Sequence, residues 1–306
     1  MYKTFITITL TAFLFAALIS CNHNNENERE WKAQHVIFIG LDGLCSPGLE
    51  KADMPNVKRM MREGSYTLQN RVVRPSSSAV NWASMFMGAT PELHGFTTWG
   101  SRSPEIPSRK LNQNGIFPTI FQLLRDEAPD AEIGVMYEWG GIKYLIDTVA
   151  VSRFAIAPDF RDNPTLLRDM AVEYIREKRP TLAAFIFDNP DATGHAHGWR
   201  SEEYFDKLTI LDGFIGDIIN ALKEAGMYDN SIIIIASDHG GINKGHGGIN
   251  LLEMEVPFII YGKNVKPNGL FHESMIVPDV GATMAYIFNI EPPQVWIGRA
   301  MRQVFR

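Results

Sequence analysis

Three apolar runs of the chain each end on an aspartate. VIFIGL (36–41) leads to Asp42-Gly43, LAAFIF (182–187) to Asp188-Asn189-Pro190-Asp191, and SIIIIAS (231–237) to Asp238-His239-Gly240. Imidazoles fall beside two of these ends: His195 four residues after Asp191, and His239 directly after Asp238. His246 sits in the glycine-rich stretch Gly245-His246-Gly247-Gly248, where the backbone can approach an ion. Carboxylate oxygens with imidazole nitrogens and no thiolate suit a catalytic Zn²⁺ site, and also tolerate Mn²⁺ or Fe. A single aspartate after a strand is ordinarily a turn former or a helix cap. Three of them, two with histidines at hand, point to a metal centre.

A metal centre that does hydrolysis can use a side-chain hydroxyl. Pro75-Ser76-Ser77-Ser78-Ala79-Val80-Asn81-Trp82 runs into a helix-like stretch, Ala83–Met87. A serine becomes a strong nucleophile when a metal lowers the pKa of its hydroxyl, and a helix start beside it favours a phosphate anion. On composition alone the three serines read equally well as a capped loop.

The elements that must position these groups are legible as periodicity. Val36–Leu41, Ile133–Tyr137, Leu182–Phe187, Ile232–Ala236 and Pro257–Tyr261 are near-continuous apolar runs of strand length. Such runs suit strands buried on both faces, as in a parallel sheet. Helical patterns lie over Pro55–Glu63, Pro118–Glu127, Leu166–Lys178 and Glu202–Glu224. The alternation predicts an α/β fold, a mostly parallel central sheet sandwiched between helices. In such sheets ligands bind at the carboxyl ends of the strands, so three distant aspartates can converge.

Taken in order, the motifs resemble the alkaline phosphatase superfamily, and most closely its type I phosphodiesterase/nucleotide pyrophosphatase branch. They are Asp42-Gly43, Ser78-x-x-Asn81, Thr90-Pro91-Glu92-x-His94-Gly95, Asp191-x-x-Gly194-His195, Ser237-Asp238-His239-Gly240 and Gly245-His246-Gly247. Each piece is weak by itself; the ordered set, spanning about Gln34 to Ile297, is specific. The resemblance implies a three-layer α/β/α catalytic domain and two divalent metal ions, Zn²⁺ first. It implies one metal on Asp42, Ser78, Asp238 and His239, and the other on Asp191, His195 and His246. It implies Ser78 as the nucleophile that takes up the phosphoryl group, and Asn81 as a hydrogen-bond donor to a phosphate oxygen. His94 would belong to a structural turn.

The chain also departs from that pattern. Ala79 follows the nucleophile where the family commonly has an aromatic residue that stacks on a nucleobase, which removes the usual reason to specify a nucleotide. Cys45-Ser46-Pro47-Gly48-Leu49 is similar to the sulfatase motif but has leucine where that motif needs arginine. The expected reaction is hydrolysis of a small-molecule phosphodiester or pyrophosphate. A phosphomonoesterase on the same scaffold and an inactive surface-binding lipoprotein are the alternatives. For the substrate pocket, Trp139 and Tyr144 are candidate walls, and Arg74 and Lys143 candidate cations.

The N-terminus reads as an export signal. Lys3 precedes an apolar stretch from Phe5 to Ile19, too short for a comfortable membrane span, and Leu18-Ile19-Ser20-Cys21 is similar to a lipobox. The expected organisation is a lipoprotein signal peptide over 1–20, a polar tether over 21–33 and one catalytic domain over 34–306. Cys21 would carry the lipid that holds the protein to a bacterial membrane, in the periplasm or at the cell surface. With only two cysteines in the chain, a lipidated Cys21 leaves Cys45 without a disulfide partner. The formal net charge of -6 and the lack of a Lys/Arg block argue against a nucleic-acid surface. An acidic protein can still bind a phosphate ester if metal ions supply local positive charge. The oligomeric state is not legible.

Overall fold

The computed structural model describes residues 30–158 and 161–306. The expected signal peptide, Cys21 and most of the expected tether lie outside the described residues. Eight strands form one sheet: β1 (His35–Leu41), β2 (Ser65–Arg71), β3 (Ile133–Tyr137), β4 (Arg153–Ile156), β5 (Leu182–Phe187), β6 (Ser231–Ala236), β7 (Glu255–Gly262) and β8 (Gly269–Leu270). Their order across the sheet is β4-β3-β5-β1-β6-β7-β2-β8. The five from β4 to β6 run parallel, and β7 is antiparallel to both of its neighbours.

Strand alternation divides the core in two. Ile37, Ile39, Phe185, Ile233 and Ile235 face one layer, while Val36, Phe38, Ala184, Ile232 and Ile234 face the other. Each fully buried large aliphatic chain is worth roughly 1.5–3 kcal/mol, so both faces must be covered. On the first face lie α1 (Ser46–Lys51), α2 (Pro55–Glu63), α6 (Leu166–Lys178) and α8 (Glu202–Glu224). On the second lie α3 (Ser78–Met87), α4 (Pro91–His94), α5 (Ile120–Glu127) and α10 (Pro278–Ile287). Two short helices, α7 (Asp191–His197) and α9 (Leu251–Met254), begin among the loops that follow the strands. This is the expected α/β sandwich. Among the described residues, no helix is long and apolar enough to cross a membrane.

The sequence expectations missed three strands and shortened one helix. β2 reads SYTLQNR, a half-exposed edge-like pattern with an irregularity between Thr67 and Asn70, so its apolar signal is weak. β4 and β8 are short and partly exposed. The helix expected from Ala83 starts earlier, at Ser78, and all of its residues are buried. A helix with no solvent face shows no amphipathic stripe to read.

Candidate metal centre

Three neighbouring parallel strands, β5, β1 and β6, deliver the site. β1 ends on Asp42, and its pairing with the β5 side continues past the strand: Asp42 N–H donates to Phe187 O (3.0 Å) and Asp191 N–H to Asp42 O (2.9 Å). That pairing sets Asp191, the first residue of α7, beside Asp42. Gly43 makes the approach possible. Its φ is +73°, and a Cβ there would lie 2.8 Å from the Asp191 Cα. Asp238 follows β6, and its Oδ1 accepts from Gly43 N–H (3.2 Å).

The tryptophan of α3 orients Asp42. Trp82 is fully buried, edge-on to Phe38 and stacked on Phe86, and its Nε1–H donates to Asp42 Oδ2 at 3.1 Å. Gly40 of β1 leaves room for that ring, since a Cβ would come within 2.6 Å of it. Asp42 Oδ2 is therefore committed, and Oδ1 is turned to the centre.

Around that oxygen the groups converge. His239 Nε2 lies 3.3 Å from Asp42 Oδ1, 3.3 Å from Asp238 Oδ2 and 3.9 Å from Asp191 Oδ1. His246 Nε2 is 3.6 Å from Asp191 Oδ1, and His195 Nε2 is 3.5 Å from Asp191 Oδ2. The His239 and His246 rings stack, with centroids 3.7 Å apart. Ser78, at the first turn of α3, places its Oγ 3.2 Å from His239 Nε2. The ligand atoms form two compact sets, Asp42 with Asp238 and His239, and Asp191 with His239 and His246.

Two features show what this donor set is suited to hold. Each of the three imidazoles has its Nδ1 within 2.9 Å of a backbone carbonyl: His195 at Lys244, His239 at Gly240, His246 at Ser76. A carbonyl only accepts, so Nδ1 carries the proton and the Nε2 lone pair faces the centre, the usual arrangement of a metal-binding histidine. Three carboxylate oxygens, Asp42 Oδ1, Asp191 Oδ1 and Asp238 Oδ2, are buried without any hydrogen-bond partner. Unpaired buried carboxylates are costly unless a cation joins them. The strain shows in the titration. Burial and then the neighbouring Asp42 charge raise Asp191 and Asp238. Burial opposes a proton on His239, but Asp238, Asp42 and Asp191 outweigh it and lift that ring to about 10. Divalent cations fit this deficit of positive charge.

The centre opens into a cavity of about 880 Å³, lined by Asp42, Ser78, Asp191, His195 and His246 and by groups from the β3 and β5 ends. Trp139 lines it, in the region expected for a pocket wall. Tyr144 does not; its ring instead lies under Arg102 and Lys143. Arg74 is exposed outside the cavity. Asn81 is turned to the backbone in this structure. Its Oδ1 accepts from Val73 N–H (2.8 Å), and its Nδ2 donates to the carbonyls of Val73, Pro75 and Ser77. The side chain is consumed in holding the serine loop against α3 and does not line the cavity. His94 is buried between the Ser84 hydroxyl and the Phe96 amide, within the turn after α3.

Sequence reasoning missed Thr97, Thr98, Trp99, Glu138 and Arg161, which line the cavity together with the strand-end Asp188. Glu138 could have been found by the logic applied to Asp42 and Asp188, since it directly follows β3. The loop residues Thr97 to Trp99 carry no local signal.

Comparison with known proteins agrees with this arrangement. The family model described as type I phosphodiesterase / nucleotide pyrophosphatase matches residues 36–251. The chain belongs to that family. It is 24% identical over 240 residues to the mouse bis(5'-adenosyl)-triphosphatase enpp4, covering 74% of this chain and 51% of the relative. It is 26% identical over 222 residues to the rat ectonucleotide pyrophosphatase/phosphodiesterase family member 1, covering 69% and 24%. The chain thus spans about half, or less, of the length of these relatives. Among solved structures, an inactive variant of murine ectonucleotide pyrophosphatase/phosphodiesterase 5 in complex with AMP superposes with a TM-score of 0.69 at 16% identity, covering 89% of this chain and 100% of that one. A 2-O GAG sulfatase superposes with a TM-score of 0.72 at 14% identity, covering 90% and 74%. Both likenesses are of fold.

Proposed function

We propose that this member of the type I phosphodiesterase / nucleotide pyrophosphatase family hydrolyses phosphate esters, with phosphodiesters or pyrophosphates as its substrates and Ser78 as the nucleophile. The observation that carries the reading is the convergence of three unpartnered carboxylate oxygens and the ring nitrogens of His239 and His246 around the Ser78 hydroxyl. One cation would be held by Asp42, Ser78, Asp238 and His239, and a second by Asp191, His195 and His246; the donor set favours Zn²⁺. Bound there, the ions would lower the pKa of the hydroxyl and neutralise the phosphoryl oxygens.

The chain's own residues do the rest. Ser78 Oγ attacks phosphorus, the bond from phosphorus to one alcohol breaks, and water later cleaves the phosphoseryl ester. Trp82 and the backbone carbonyls fix the acceptor geometry, so little reorganisation accompanies the reaction. Asn81 keeps the serine loop seated on α3. By the same reading the protein is exported and held at a bacterial membrane by lipid on Cys21, a proposal that rests on the N-terminal sequence.

Hydrolysis of bis-p-nitrophenyl phosphate by zinc-loaded protein tests the assignment. Ser78→Ala is expected to lower kcat by about a thousandfold or more while most of the metal stays bound. A variant that keeps wild-type turnover would overturn Ser78 as nucleophile.

A further inference from the structure

Ser76, Ser77 and Ser78 stand in a row, and their hydroxyls have different surroundings. Ser76 is fully buried. Its Oγ donates to Gly248 O (3.0 Å) and accepts from Gly247 N–H (3.1 Å), which ties the loop of His246 to the loop before α3. Ser78 Oγ faces His239. Ser77, between them, is 4% exposed and lines the cavity, yet its Oγ meets no hydrogen-bond partner. Folded chains rarely leave a buried hydroxyl unpaired, and at a cavity wall a bound group can complete it.

The local fold gives that hydroxyl no other task. Ser77 is the N-cap of α3, with extended backbone (φ -146°, ψ 158°). A serine at that position ordinarily accepts from an amide of the first helical turn through its side chain. Ser77 makes no such bond. Its main chain alone holds it: the N–H donates to Pro75 O (2.8 Å), and the carbonyl accepts from Asn81 N–H (3.1 Å) and Asn81 Nδ2 (3.1 Å). The other hydroxyls that line the cavity are engaged. Thr97 Oγ1 donates to Glu105 Oε2 (3.1 Å), and Thr98 Oγ1 donates to Glu105 Oε1 (3.3 Å) beside Ser101 Oγ (3.2 Å). The Asn81 amide is spent on three backbone carbonyls. Among the described residues, Ser77 carries the one cavity-lining hydroxyl that is left over.

We propose that Ser77 is a second catalytic residue, whose Oγ–H donates to a non-bridging oxygen of the phosphoryl group that Ser78 attacks. The bond from Ser78 Oγ to phosphorus forms and the bond to the leaving alcohol breaks, while the Ser77 proton stays on its own oxygen throughout. A fixed donor aimed at an oxygen that carries charge in the transition state acts on kcat more than on KM. The adjacency of the two serines is what brings donor and nucleophile to one phosphorus. The inference rests on the phosphodiesterase reading above and on Ser78 as its nucleophile.

The test uses zinc-loaded protein and three esters: methyl p-nitrophenyl phosphate and its two phosphorothioate isomers, in which sulfur replaces one or the other non-bridging oxygen. Ser77→Ala is expected to lower kcat for the oxygen ester by about 100-fold, with KM within about threefold. It should slow one thio isomer by a similar factor and the other by less than about threefold, because sulfur accepts hydrogen bonds weakly and already forfeits the contact in that isomer. Ser77→Thr, which keeps the hydroxyl, should retain most of the rate. Metal content and Tm of Ser77→Ala should match the wild type, since the hydroxyl caps nothing and holds no loop. Wild-type turnover by Ser77→Ala overturns the proposal. Equal slowing of all three esters, or loss of metal, also overturns it and marks a structural role. If cleavage depends on Ser78 and not on Ser77, only this inference falls. If no ester is cleaved in a Ser78-dependent way, the reading of Ser78 falls and takes Ser77 with it.

Discussion

Asp42 and Asp238 occupy one stretch of the sheet's carboxyl edge, and Asp188 and Glu138 the adjoining stretch. Asp42, Asp188 and Glu138 directly follow parallel strands and line one cavity, while Asp238 follows β6 after one intervening residue, beside Asp42. The first pair meets imidazoles whose Nε2 lone pairs point inward, and keeps oxygens that no protein donor satisfies. The second pair is joined by the Asp188 N–H, which donates to Glu138, and shares its cavity with Trp99 and Trp139. The strand end gives each carboxylate its place; the neighbouring side chains decide which kind of cation it can serve. Oxygen with imidazole suits a small hard or borderline metal ion, a combination that the second pair, without an imidazole, does not offer.

The sharpest way to break the contrast is to remove a charge from the first pair. Asp238→Asn is expected to abolish tight metal binding and to reduce phosphodiester hydrolysis by about a thousandfold or more, read by metal analysis after gel filtration and by turnover. Retention of full metal content would place the ligands elsewhere. A smaller effect is expected at the residue that aims Asp42. Trp82→Phe keeps most of the packing but loses the Nε1–H bond to Oδ2, and should weaken metal affinity by about 10- to 100-fold. Unchanged affinity would mean that Asp42 is held by packing alone.

The second pair separates through pH. Glu138 has its folded pKa raised above the ordinary carboxyl value of 4.5, to about 7. A carboxyl shifted in that direction favours the fold below its unfolded pKa, and the advantage is lost as pH rises through the folded value. Chelator-treated Glu138→Gln should therefore match the wild type near pH 4 and exceed it by about 1–3 kcal/mol near pH 8 in urea unfolding. Equal stability at both pH values would mean that the carboxylate already has a cation in the protein. The smallest change is expected outside the cavity. Tyr144→Ala should leave kcat/KM for any diester within about twofold, because its ring packs with Arg102 and Lys143 and not at the pocket wall.

Much of this division can be traced to what the chain displays. The runs at 36–41, 182–187 and 231–236 carry their own signal, because a strand buried on both faces is apolar throughout. The aspartates that follow are legible for the same reason. β2 is not, since its half-exposed residues and irregular pairing leave no clean period. Glu138 was overlooked because a glutamate before Trp139 reads as ordinary strand-end polarity until β3 is known to lie beside β5. Asn81 shows what a motif alone does not display. The family resemblance implied a contact with phosphate, and a helix residue three positions on from another can equally face back onto the loop that precedes it. Four hydrogen bonds to Val73, Pro75 and Ser77 show that it does.

The helix that bears Ser78 has no residue in contact with bulk water, from Ser78 to Met87. Helices of that kind cannot fray independently, because loosening any turn opens the space between the sheet and α10. Amide hydrogens in the body of α3 should therefore exchange with deuterium only through openings as large as the domain's own unfolding. Heating such a protein leaves no intermediate regime in which the nucleophile wanders while the core persists. Thermal inactivation and loss of tertiary structure should coincide, which makes residual activity after a heat pulse a direct count of molecules still folded.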